Sequence, residues 1–180
     1  LFLVAAVYAA GYLAREKVRA AGEPGEGFLF RNIPEAAFTG CLLLFLSAMT
    51  LVITSRHLGL LWAGVEATTL ASAPLIFFHR HRRSLEATWK YLVLCSLGIA
   101  VALLGSFFLS VALRETSSSS SLVLDDLLRR APAADVPWLR AAFICLLVGY
   151  GTKMGLAPLH NWLPDAHSEA PSVVSALLSG

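Results

Sequence analysis

The sequence predicts an all-α polytopic membrane protein. Two observations carry that prediction. Of the 180 residues, 57% are hydrophobic and only 14% are charged, whereas a soluble domain runs nearer half apolar and a quarter charged. The apolar excess is gathered into runs close to the ~20 residues a helix needs to cross a ~30 Å hydrocarbon core. A net charge of +2 is too small to imply a nucleic-acid partner. Cys41, Cys95 and Cys145 are isolated, each within an apolar run, and read as small buried hydrophobes rather than metal ligands.

Leu1 to about Ala14 reads as the end of a membrane helix. The polar run Arg15–Arg19 and the glycine- and proline-rich Gly22–Gly27 follow as a loop. Residues 1–34 are therefore expected to be a cut helix plus a polar connection, and 35–180 a helical repeat. Leu1 opens within an apolar run and Gly180 closes just after another has begun, so the chain reads as a piece of a longer protein. No basic start or small-residue cleavage site marks a signal peptide.

The second span is expected over Ala36–Thr54 and the third over Leu58–Phe78, joined through Arg56 and His57. The third carries Glu66 near its middle and Pro74 near its exit. A basic surface stretch, His79 to Lys90, holds Trp89 at the expected membrane interface. The fourth span is expected over Tyr91–Leu113, with Gly98 and Gly105 allowing close helix packing. Arg114–Pro137 is a polar connection opening on the serine run Ser117–Ser121. Within it Leu124, Leu127, Leu128 and Ala131 recur at helical spacing. Asp125 and Asp126 stand four residues before Arg129 and Arg130, an order that favours a helix. That helix is expected to lie on the membrane surface or against a partner. The fifth span starts near Trp138, and Pro171 suits the first turn of a sixth helix.

Basic residues set the orientation. One face collects Arg15, Lys17, Arg19, Arg31, Arg80, Arg82, Arg83 and Lys90, and the other Arg56, Arg114, Arg129 and Arg130. Eight against four predicts that the first face is cytoplasmic.

Two charges stand at membrane depth. Glu66 lies eight residues into its span, roughly 12 Å at 1.5 Å per residue, and Lys153 is deep in the fifth. Their spans run in the same direction, so both reach a similar depth. An acid and a base there each lower the cost of the other. Burial favours neutral lysine and a nearby carboxylate favours the charged form, so moving the pair apart or together switches a proton carrier. A static ion pair gluing two helices is the plain alternative. Arg140, near a helix end, reaches the interface and gets no role.

After Lys153 the helix is expected to break. Gly151 and Gly155 allow irregular backbone, and Pro158 and Pro164 interrupt it. His160 and His167 are candidate relay members because imidazole exchanges protons near neutral pH; interfacial hydrogen bonding is the alternative. His160, Asp165, His167 and Glu169 have zinc-ligand chemistry, but their spacing matches no template. Trp162 reads as an interface anchor. No nucleotide-binding or nucleophile motif is present, so no catalytic residue and no cofactor is expected.

The run Lys153-Met-Gly-Leu-Ala-Pro-Leu-His-Asn-Trp-Leu-Pro-Asp-Ala-His-Ser-Glu-Ala-Pro171 closely resembles the signature of the antiporter-like, proton-conducting membrane subunits. These occur in complex I-like oxidoreductases, membrane-bound hydrogenases and multisubunit sodium/proton antiporters. Leu60-Leu-Trp-Ala-Gly-Val-Glu-Ala-Thr-Thr-Leu-Ala-Ser-Ala-Pro74 and Ser84-Leu-Glu-Ala-Thr-Trp-Lys-Tyr91 resemble the hydrogenase-4 component F branch. The resemblance implies inverted five-helix repeats, each with one broken helix, and a glutamate–lysine pair at Glu66 and Lys153. It implies a multi-pass protein of the cytoplasmic membrane, translocating protons beside other membrane subunits of a respiratory or hydrogenase complex. The alternative is the large subunit of a sodium/proton antiporter. Some members of the family carry a histidine about where Ser179 stands here, which takes that position out of any histidine relay.

Overall fold

The computed structural model describes residues 2–22, 32–113 and 122–179. Most of the expected Gly22–Gly27 loop and the serine run Ser117–Ser121 lie outside the described residues. Eight α-helices are described: α1 Phe2–Gly22, α2 Glu35–Thr54, α3 Leu58–Ile76, α4 Arg82–Ala112, α5 Leu124–Arg130, α6 Val136–Met154, α7 Leu163–Glu169 and α8 Ser172–Ser179.

Two helices run past their apolar stretches. α1 continues through Arg15–Arg19 instead of yielding to a loop at Ala14. Arg, Lys, Glu and Ala are strong helix formers, so leaving the apolar run does not end a helix. The first glycine after it is Gly22. α4 begins at Arg82 rather than Tyr91 and has 31 residues, about 46 Å at 1.5 Å per residue. The basic stretch is thus the first turns of a helix that outreaches the bilayer. His81 caps it: Nδ1 accepts from the Ser84 amide at 3.0 Å. His57 caps α3 in the same way, through the Gly59 amide at 3.1 Å.

Among the described residues three helices, α2, α3 and α4, are long and apolar enough to cross a membrane. α6 matches α3 at 19 residues but carries Arg140 and Lys153. Large apolar side chains point outward along them, including Leu44, Leu97, Phe107 and Phe143. In water such a surface would be an aggregation site; in lipid it is the expected exterior.

α4 and α6 form the most extensive helix pair. The core lies at one end of the bundle, where Phe38, Leu75, Ile76, Tyr91, Trp162 and Val174 are all buried. α5 does not lie free on a surface. Its Leu127 packs with Leu58 and Leu113, and the segment before it is pinned by hydrogen bonds from the Leu58 amide to the Leu122 carbonyl and from the Leu124 amide to the Arg56 carbonyl, at 2.9 and 2.8 Å. Leu128 is left 71% exposed. The helical stripe was real, but this chain's own helix ends cover part of it.

Candidate functional site: a lysine at a helix break

α6 brings Lys153 to its last turn. The helix ends at Gly155, whose φ of 73° lies in the left-handed region, the conformation glycine adopts most cheaply at a helix C-terminus. The chain then runs irregularly through Pro158 and re-enters a helix at Leu163, with Pro164 in the first turn of α7. Gly155 and Pro158 therefore lie in the interruption. Gly151 lies inside α6 and Pro164 opens the next helix, where its missing amide costs nothing.

Lys153 Nζ donates to Thr69 Oγ1 at 2.9 Å and to the Tyr91 hydroxyl at 2.6 Å. Nζ also lies 4.7 Å from the Tyr91 ring centroid, a distance that follows from its bond to the hydroxyl; the oxygen, not the π face, holds the ammonium. Tyr91 is fully buried, and its hydroxyl pairs with Ser72 Oγ at 2.6 Å. Ser72 Oγ in turn donates to the Thr68 carbonyl at 2.7 Å.

Glu66 and Lys153 do not touch. Ser96 Oγ donates to Glu66 Oε1 at 2.7 Å, while Oε2 is buried with no hydrogen-bond partner. Acid and base thus stand apart, each on hydroxyl partners.

Beside Lys153 opens a cleft of about 270 Å³, lined by Phe45, Met49, Val65, Thr68, Leu177 and others from α2, α3 and α8. Apart from Lys153 and Thr68 its lining is apolar or aromatic. Trp162 is no interface anchor. It is 2% exposed, its Nε1 donates to the Thr152 carbonyl at 2.8 Å, and its ring lies 5.0 Å from that of Tyr91. It thereby takes up a carbonyl at the end of α6, where helical partners run out.

The two histidines do not join the lysine. His167 Nδ1 pairs with Ser175 Oγ of α8 at 2.6 Å. His160 Nδ1 is buried and has no hydrogen-bond partner. Asp165 and Glu169 are turned to α4 instead, Asp165 to Lys90 at 2.8 Å and Glu169 to His81 at 3.2 Å. Because Nδ1 of His81 accepts the cap bond, its hydrogen sits on Nε2, facing Glu169. Among the described residues no cluster of three His, Cys, Asp or Glu side chains converges on a metal position. These contacts dock α7 on the start of α4, so the break belongs to the same face as the basic stretch. His79, between α3 and α4, meets the Tyr12 hydroxyl at 3.3 Å and Glu16 at 4.0 Å. Burial holds its pKa below the usual 6.5, and Glu16 opposes that shift.

Sequence reasoning missed Tyr91, Ser72, Thr69, Ser96 and the buried role of Trp162. The signal existed. Ser84, Thr88 and Tyr91 stand at i, i+4 and i+7, and Thr68 and Ser72 at i and i+4. These are stripes of hydroxyls on single helix faces.

Apolar helices surrounding a lysine at a helix interruption define a polytopic membrane protein. The family described as the transmembrane part of NADH:quinone oxidoreductase and Mrp antiporter proteins matches residues 55–180, and the chain belongs to that family. It is 42% identical over 137 residues to a hydrogenase-4 component F homolog of Methylacidiphilum infernorum, covering 75% of this chain and 29% of that relative. It is 34% identical over 146 residues to NADH-quinone oxidoreductase subunit N of Deinococcus radiodurans, covering 79% and 27%. A chain of respiratory complex I from Thermus thermophilus with bound aureothin superposes with a TM-score of 0.71 at 28% identity, covering 99% of this chain and 34% of that one. The chain spans less than a third of the curated relatives it matches.

Proposed function

We propose that this chain is part of a proton-translocating membrane subunit of a complex I-like or hydrogenase-type oxidoreductase in the cytoplasmic membrane. The observation that carries the reading is Lys153 itself: a cation at the end of an interrupted helix, hydroxyl-bound on one side and open to a cleft on the other. Intramembrane ionisable residues mark ion pathways. Lys153 takes up and releases the proton, and Glu66 biases it by approaching or withdrawing. Redox energy released in partner subunits drives that movement. The positive charge of the basic stretch supports a cytoplasmic side for the break, with proton uptake from that side. His160 and His167 serve near the break, His167 by tying α7 to α8. The relatives named as oxidoreductase and hydrogenase components favour this reading over a sodium/proton antiporter.

The test replaces Lys153 with alanine in the intact complex and measures proton pumping against electron transfer. Pumping per electron should fall by at least about tenfold, the loss of an essential carrier. Pumping equal to wild type would sink the proposal.

A further inference from the structure

Deepening that reading, and resting on it, we propose that Lys153 has two alternating seats, one at Glu66 and one on the hydroxyls of Tyr91 and Thr69, with Tyr91 the positioning residue that holds the lysine off Glu66. The structure shows the second seat occupied. Lys153 Nζ reaches Tyr91 and Thr69 at 2.6 and 2.9 Å, Glu66 is held by Ser96, and Glu66 Oε2 is buried without a partner. That oxygen is the one left to receive an ammonium.

Hydrogen-bond polarity explains why this seat suits a carrier. Charged lysine has only donors, while hydroxyls both donate and accept. With the ammonium donating to Tyr91, the phenol hydrogen points to Ser72, and Ser72 donates to the Thr68 carbonyl. Once Lys153 is neutral its lone pair accepts from Tyr91, and Ser72 turns its hydrogen to the Tyr91 oxygen. The seat therefore holds either protonation state by rotating two hydroxyls. A carboxylate favours the charged state alone.

The seat is also rigid. Tyr91 is fully buried and braced by Trp162, which is bonded to the carbonyl of Thr152, the residue before Lys153. Movement of the break and movement of the seat are linked through that ring. The groups facing the lysine are few: α3 supplies Glu66 with Thr68 and Thr69, and α4 supplies Tyr91 and Cys95. α2 and α8 present apolar side chains such as Phe45, Met49, Leu177 and Leu178.

The experiment measures proton translocation against pH by the full-length subunit in its complex, reconstituted in vesicles. Tyr91→Phe keeps the ring and its contact with Trp162 and removes the hydroxyl. The lysine then rests mainly on Glu66, and turnover at neutral pH should fall about fivefold, the equivalent of one ordinary hydrogen bond. The alkaline limb of the profile should move up by about 0.7 pH unit, the same factor of five. In a Glu66→Gln background Tyr91→Phe should no longer move that limb, because no carboxylate competes for the lysine. Thr69→Val should shift the limb in the same direction, and Thr69→Ser, which keeps the hydroxyl, should restore the wild-type profile. A Tyr91→Phe profile superimposable on wild type, or an equal shift without Glu66, overturns the two-seat proposal. If Tyr91→Phe does not assemble, the Thr69 pair decides by the same criteria. Lys153→Ala separates the levels: if it still pumps, the carrier reading fails; if it is dead while Tyr91→Phe behaves as wild type, only the second seat fails.

Discussion

At Gly149 an added Cβ would stand 2.5 Å from the amide nitrogen of Ala102 and 2.6 Å from the Gly98 carbonyl oxygen. Both are backbone atoms that cannot step aside, so α4 and α6 approach as closely as they do only because this position lacks a side chain. Gly149→Leu should push the helices apart and destabilise the fold by about 1–3 kcal/mol, the range for overpacking. Gly11→Leu, where nothing lies within 4 Å, should be near neutral. Thermal melting of the detergent-purified full-length protein would compare them, and equal melting temperatures would contradict the packing argument. Among single residues, Lys153 and Glu66 were conspicuous in the sequence because a charge inside an apolar run is costly. Their partners were not. Ser96, Thr69 and Tyr91 are ordinary helix residues until neighbouring helices fix which hydroxyl faces which charge.

The interrupted helix shows what can be read of an element. Gly155 and Pro158 announced a break and are found in it, while Pro164 marked the start of a new helix; proline does both, since it ends a helix from within and suits the first turn of another. How the break is closed was hidden. Trp162 turns inward and adds a 2.8 Å hydrogen bond to the Thr152 carbonyl, which otherwise receives only the 3.2 Å bond from the Gly155 amide at the helix end. Trp162→Phe keeps most of the apolar volume and removes that bond, which should cost about 1 kcal/mol. Amide hydrogen exchange should accelerate selectively in the last turn of α6, and exchange rates identical to wild type would show that the bond does not hold the turn. The exposed Lys90–Asp165 pair is a weaker fastening, because solvent screens it.

For the whole molecule, the decisive surface is the apolar exterior. Leu97 is 60% exposed midway along α4, and Leu128 is 71% exposed on α5. If the bundle sits in lipid as its composition requires, Leu97→Arg should cost about 2.5–3.5 kcal/mol of insertion free energy. Leu128→Arg, beyond the span, should cost far less. A glycosylation-based insertion assay on both variants tests this, and equal effects would contradict the assigned depth. Composition and the length of the apolar runs were enough to establish the class and the α2–α4 spans, and to single out the two charges within apolar runs. This is because lipid leaves the backbone almost no alternative to helices and makes every internal charge conspicuous. Helix ends at α1 and α4 escaped that logic, since hydrogen bonding continues past the edge of the apolar run. Only the tertiary structure decided that Lys153 rests on Tyr91 and Thr69 while Glu66 rests on Ser96. Spacing along the chain placed acid and base at similar depth. The rotation of each helix about its own axis, which spacing does not fix, determines whether they touch.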